Sequence, residues 1–114
     1  LSALAGAIVR ANETEERWSI AELLRINGEL LLVQGAPGAA EAAEGHFLQA
    51  IEWARQQGAL SWELRAGTSL AHLLRDQGRS ADAMAVLRPI YDRFTEGFDT
   101  ADLTRATALL HDLS

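Results

Sequence analysis

Cysteine is absent from this chain, so disulfide cross-links, thiolate catalysis and Cys-based zinc sites are excluded. Lysine is absent too, and all ten basic residues are arginine. A Gly-rich phosphate-binding loop closed by lysine is therefore ruled out. Basic charge is in deficit overall, with ten basic residues against sixteen acidic ones and a net charge of −6. No basic stripe of the kind that nucleic acid binding depends on is visible. No apolar run approaches the roughly 20 residues of a membrane-spanning helix. Strand signals are missing as well, because no segment alternates apolar and polar residues with β-branched enrichment. The chain opens at Leu1 without a methionine or a basic leader, and reads as a piece of a longer protein with no signal peptide. Together these absences point to a cytoplasmic chain with no membrane contact, no nucleic acid partner and no cofactor.

What is present suits a single globular unit. The 114 residues, 48% hydrophobic and 23% charged, suffice for one domain with a core. Apolar residues recur at helical spacing in segment after segment. Leu1, Leu4, Ile8 and Ala11 share a face, and Asn12-Glu13-Thr14 follows as a turn. A helix from about Glu16 to Gln34 carries Ile20, Leu23, Leu24, Asn27, Leu30 and Leu31. Further apolar residues spread around it, as for a helix sandwiched between neighbours.

Gly35-Ala36-Pro37-Gly38 ends that helix, and the next, about Ala39 to Gln57, places Ala43, Phe47, Ala50 and Ala54 inward. Gly58 is a C-terminal cap, and Ser61 is the expected N-cap of a helix reaching Gln77 through Leu70, Ala71, Leu73 and Leu74. Gly78 closes it. A helix from near Ser80 turns Ala83, Leu87, Ile90, Tyr91 and Phe94 inward, with a kink expected at Pro89. After Gly97, Asp99 is the expected N-cap of a last helix with Asp102 at its third position. Its single stripe, Leu103, Ala106, Leu110 and Leu113, suits a helix covering the end of a stack.

The pattern repeats internally. Small or apolar residues spaced +4 then +3 occur as Leu4/Ile8/Ala11, Ala43/Phe47/Ala50 and Ala83/Leu87/Ile90. Gly28, Leu31 and Gln34-Gly35 return 43 residues later as Ala71, Leu74 and Gln77-Gly78. This alternation resembles the tetratricopeptide (TPR) motif, in which crossed helices approach closely where side chains are small. Gly28 and Ala71 take the small position, and Leu24 and Gly67 stand where the motif has an aromatic. The period of about 40 exceeds the motif's 34 residues, and Arg55 and Thr95 replace its terminal proline.

The expected fold is all-α, a right-handed TPR-like superhelix of about six helices. Residues 1–13 form the second helix of a preceding pair, 16–57 and 61–95 two pairs, and 99–113 a capping helix. Three segments, Ala21–Leu32, Gln57–Arg79 and Phe94–Leu103, further resemble the C-terminal region of large bacterial signalling proteins. There a nucleotidyl-cyclase-like or DNA-binding domain and a STAND-type ATPase module precede TPR-like repeats. The resemblance implies a regulatory, non-catalytic segment whose partner is a protein, a peptide or another domain of the same chain.

In such stacks the first helix of each pair lines a groove. The groove positions are then Glu22, Arg25, Glu29 and Leu32 in one pair and Arg65, Thr68, His72 and Arg75 in the other. A mixed-charge groove can hold a peptide or a helix through salt bridges. The competing reading is a solvated face with Glu22–Arg25 and Arg25–Glu29 pairs along one helix. His72 and Asp76 are four apart but lack the third ligand that a zinc site needs. His46 and His111 stand alone. Trp18, Trp53 and Trp62 read as packing anchors before they read as an aromatic binding surface. Alternative roles are a packing or oligomerisation cap, with self-association through the Leu1–Ala11 end, or a small-molecule sensor with an enclosed apolar pocket.

Overall fold

The structure, a computed structural model, describes residues 18–95 and 100–114, with side chains described from Ile20 onward. Five α-helices follow one another among the described residues: α1 (Trp18–Gln34), α2 (Ala39–Gln56), α3 (Leu60–Asp76), α4 (Ser80–Tyr91) and α5 (Ala101–Leu113). The chain is all-helical over this range. The expected helix at residues 1–13 lies outside the described residues, as does Asp99. No helix among the described residues is long and apolar enough to cross a membrane.

Each helix packs on the next, and α3 additionally touches both α1 and α5, whereas α2 and α4 do not meet. The odd helices thus form one layer, with α3 in the middle, and the even helices a second. The core runs through both layers. Ala43, Phe47 and Ala50 are fully buried, and so are Ala83 and Leu87, with Ile90 nearly so. Leu103, Ala106, Leu109 and Leu110 bring α5 into the same cluster.

Two of the turns are built alike. At the end of α2, Gly58 N–H donates to Arg55 O at 3.1 Å and Ala59 N–H to Ala54 O at 2.8 Å. At the end of α3, Gly78 N–H donates to Arg75 O at 2.9 Å and Arg79 N–H to Leu74 O at 2.8 Å. This paired closure needs a left-handed residue, and Gly58 and Gly78 supply it with φ of 65° and 76°.

Two expected caps are corrected. α3 starts two residues early, at Leu60, with Ala59 before it and no side-chain cap, which puts Ser61 inside the helix. The Schellman closure of α2 leaves no spare residue, so α3 begins directly behind it. The cap of α5 is Thr100, whose hydroxyl accepts from Leu103 N–H at 3.4 Å. Asp102 therefore occupies the second helical position, still favourable at the positive helix end. α4 continues through Pro89 to Tyr91.

Two helix crossings are close at glycines. A Cβ on Gly28 would stand 2.5 Å from Phe47 Cε1, so α1 and α2 cross there without room for a methyl group. A Cβ on Gly67 would stand 2.7 Å from Ile90 Cδ1. Gly67 was placed by the sequence at the motif's aromatic position, but here it is the near-contact of the second pair. In the repeat register the equivalents of Gly67 and Ile90 are Leu24 and Ala50. Leu24 and Ala50 are both buried in the core, so in this register large and small change places between the two pairs, an exchange close to volume-conserving of the kind cores accept readily.

Candidate interaction face

Along one side of α1, α3 and α5 runs a chain of partly buried charges. Glu22 and Arg25 lie one turn apart on α1, and Arg25 Nε donates to Glu22 Oε2 at 2.9 Å while Nη2 donates to Oε1 at 2.5 Å. Arg65 on α3 reaches both ways: Nη1 donates to Glu22 Oε1 at 3.4 Å and Nε to Asp102 Oδ2 on α5 at 2.9 Å. Its guanidinium also sits 5.0 Å from the ring centroid of Trp62, within cation–π range. Arg25 Nη1 donates to Ser69 Oγ at 3.4 Å. Farther along, Arg75 Nη1 donates to Asp112 Oδ2 at 3.1 Å. Three helices are thus stitched by charge on one face.

A cleft of about 280 Å³ opens between these side chains, lined by Arg25, Arg65, Thr68, Ser69, Asp102 and Arg105, with Ala101 at its edge. Arg105 is exposed and has no hydrogen-bond or ion-pair partner among the described residues. Three guanidiniums therefore border the cleft against one lining carboxylate.

Of the eight groove residues expected from the sequence, Glu22, Arg25, Arg65 and Thr68 come together here. Thr68 is buried, with its hydroxyl donating to Leu64 O at 2.8 Å, so it shapes the cleft more than it offers a bond. The expected Arg25–Glu29 pair does not form, because Glu22 takes Arg25 in a two-point contact; Glu29 acts on it only through space. Leu32 is half-buried against the core rim. His72 lies one turn beyond Thr68, and Arg75 faces α5. Burial pushes the His72 imidazole below its usual range, Arg75 and Arg105 push the same way, and Asp76 and Glu29 oppose them. Among the described residues no group of three or more His, Asp or Glu is placed to hold a metal ion.

Trp53 packs on the core edge and Trp62 carries Arg65. The side chain of Trp18 lies outside the described residues. Of the other histidines, His46 Nδ1 stands 2.8 Å from Ala42 O on its own helix, and His111 is exposed near the end of α5.

A second charged cluster escaped the sequence reading. Glu63 is only 1% exposed. Arg93 Nη1 donates to its Oε1 and Oε2 at 2.9 and 3.0 Å, and Arg55 Nη2 donates to Oε2 at 3.3 Å. This clamp joins the C-terminal turn of α2, the first turn of α3 and the turn after α4. The signal was present: Glu63 shares helical register with Gly67, Leu70 and Leu74, all buried. Asp102 and Arg105 on α5 were missed because sequence spacing within one helix says nothing about which neighbour it meets.

Comparison with family models, curated proteins and solved structures finds no match to this chain.

Proposed function

We propose that this chain is a TPR-like, right-handed stack that binds a protein or peptide partner, or another domain of its parent, along the face of α1, α3 and α5. We read it as a non-catalytic regulatory segment of a larger bacterial cytoplasmic signalling protein, of the kind in which an ATPase module precedes helical repeats. The observation that carries this is the layering. The first helices of successive pairs adjoin and display a continuous charged face, while the second helices are held apart on the other side. The exchange of Leu24/Ala50 for Gly67/Ile90 supports an internal repeat, since the two pairs solve one packing problem with opposite partners. The charged face is ordered by bridges between helices, which preorganises it for recognition and lowers the entropic cost of binding.

A photo-crosslinking residue at Ala108 tests the reading in cells that express the parent protein. Ala108 is exposed and lies one turn from both Arg105 and Asp112. A crosslinker at Gln49, exposed on α2, is the control. Adducts specific to the Ala108 site are expected. Equal labelling from both sites counts against the face.

One observation favours the packing-cap role as a second reading. Ile26, Leu30 and Val33 are 39%, 46% and 82% exposed, and they recur along one side of α1 at four- and three-residue steps. A crosslinker at Leu30 that alone yields adducts would put that reading first. The related proposal of self-association through Leu1–Ala11 concerns residues outside those described.

A further inference from the structure

We propose that the cleft between Arg25, Arg65 and Arg105 receives a side-chain carboxylate from an acidic peptide segment, a proposal that rests on the reading of this face as an interaction surface. The case begins with unspent donors. An arginine carries five N–H donors. Arg65 uses Nε on Asp102 and Nη1 on Glu22, which leaves Nη2 without an acceptor among the described residues. Arg105, on the opposite wall, has used none of its five. The two side chains lining one cleft therefore offer several charged donors to whatever enters it.

Preorganisation is the second argument. Arg65 is held by Glu22, Asp102 and the Trp62 ring, so its orientation is already fixed before a ligand arrives. The usual cost of freezing a long cationic side chain is reduced accordingly. A planar guanidinium matches a carboxylate by two parallel hydrogen bonds.

Charge selects the ligand class. Three arginines and Asp102 line the cleft, and Glu22 stands behind Arg25 and Arg65, which leaves one positive charge in excess, that of the unpaired Arg105, in a chain whose net charge is −6. A polyanion such as nucleic acid would be repelled by the molecule as a whole. A peptide that presents one or two carboxylates locally feels the arginines at contact distance and little of the rest, because screening acts within about 8–10 Å.

The test uses a fluorescein-labelled ten-residue peptide of alternating Glu and Ser, and its Lys/Ser counterpart, titrated against the 114-residue chain by anisotropy. Arg105→Glu is the probe variant; Arg105 has no structural partner, so the helices should keep their circular dichroism spectrum and melting temperature. Arg88→Glu, on α4 with only an exposed Asp92 as partner, is the charge-matched control. The acidic peptide is expected to bind, to weaken with added salt, and to lose about tenfold or more in affinity in Arg105→Glu, with Arg88→Glu within about twofold of the parent. Equal effects of the two substitutions, no binding of the acidic peptide, or equal binding of the basic one each overturn the proposal. A panel of mixed-composition peptides, followed by amide shifts, separates the two levels. If a neutral or basic peptide perturbs α1, α3 and α5, the interaction surface stands and the carboxylate site falls. If no peptide perturbs them, both fall.

Discussion

Replacing Gly28 by alanine should bring no stabilisation and as much as about 2 kcal/mol of loss, while the same change at Gly45 should stabilise the protein. Both glycines are interior to helices, so both substitutions gain about 1 kcal/mol of intrinsic helix propensity. At Gly45 nothing lies within 4 Å of the added Cβ, and the gain is realised. At Gly28 the methyl meets three ring carbons of Phe47 at 2.5–3.0 Å. Phe47 is fully buried, so its ring cannot step aside as an exposed side chain would. Overpacking of this kind costs about 1–3 kcal/mol, which cancels or exceeds the propensity gain. The two variants should therefore differ by about 1–3 kcal/mol, with Gly28→Ala the less stable. For a domain of this size that is a gap in Tm of roughly 5–20 °C. Thermal and urea unfolding of the two variants beside the parent measure it. Equal stabilisation by both would refute the close crossing of α1 and α2, and with it the small-residue logic of the repeat.

Three further outcomes follow from the same packing and charge arrangement. Gly67→Leu should cost about 1–3 kcal/mol by overpacking against Ile90, and adding Ile90→Ala should recover a measurable part of it in urea titrations; strictly additive losses would deny the exchange of volumes across α3 and α4. Arg93→Ala, which takes two of the three hydrogen bonds from the buried Glu63 carboxylate and leaves it Arg55 alone, should destabilise by about 1–3 kcal/mol, and Glu63→Met by less, because the half-exposed arginines it releases regain water; the reverse order would mean that the clamp is not arranged as described. His72, held below its ordinary 6.5, takes up its proton more readily when unfolded. Its stabilising contribution is thus full above about pH 6.5 and declines as pH falls through that value toward the lower folded pKa. The fall in Tm between pH 7.5 and 5.5 should shrink in His72→Gln, and an unchanged fall would assign the pH response to other groups.

The helices were legible in the sequence because local signals set them. Apolar spacing placed the starts of α2 and α4 correctly, though α4 ends at Tyr91 and not near Phe94, and Gly58 and Gly78 marked ends that the backbone needs a left-handed residue to close. Ala43, Phe47 and Ala50 stood out as buried because a helix crossing demands small and large residues in turn. What depends on neighbours was less legible. Glu63 looks like one more solvated carboxylate until the register of α3 turns it inward between Arg55 and Arg93. Arg65 was expected on the groove, but its bridging of Glu22 to Asp102 depends on how α1, α3 and α5 lie against each other. Arg105 became notable only through what it lacks. Asn27 is a similar case: its spacing put it in the core, and it is indeed buried, yet its Oδ1 finds no donor among the described residues.

The most direct measurement of the central claim is amide chemical-shift mapping on the isotopically labelled chain during titration with the acidic Glu/Ser peptide. The account predicts saturable shifts concentrated at residues 22–29 of α1, 65–75 of α3 and 102–112 of α5, with α2 and α4 nearly unmoved. Shifts concentrated instead on α2 and α4, or scattered over all five helices without saturation, would contradict it.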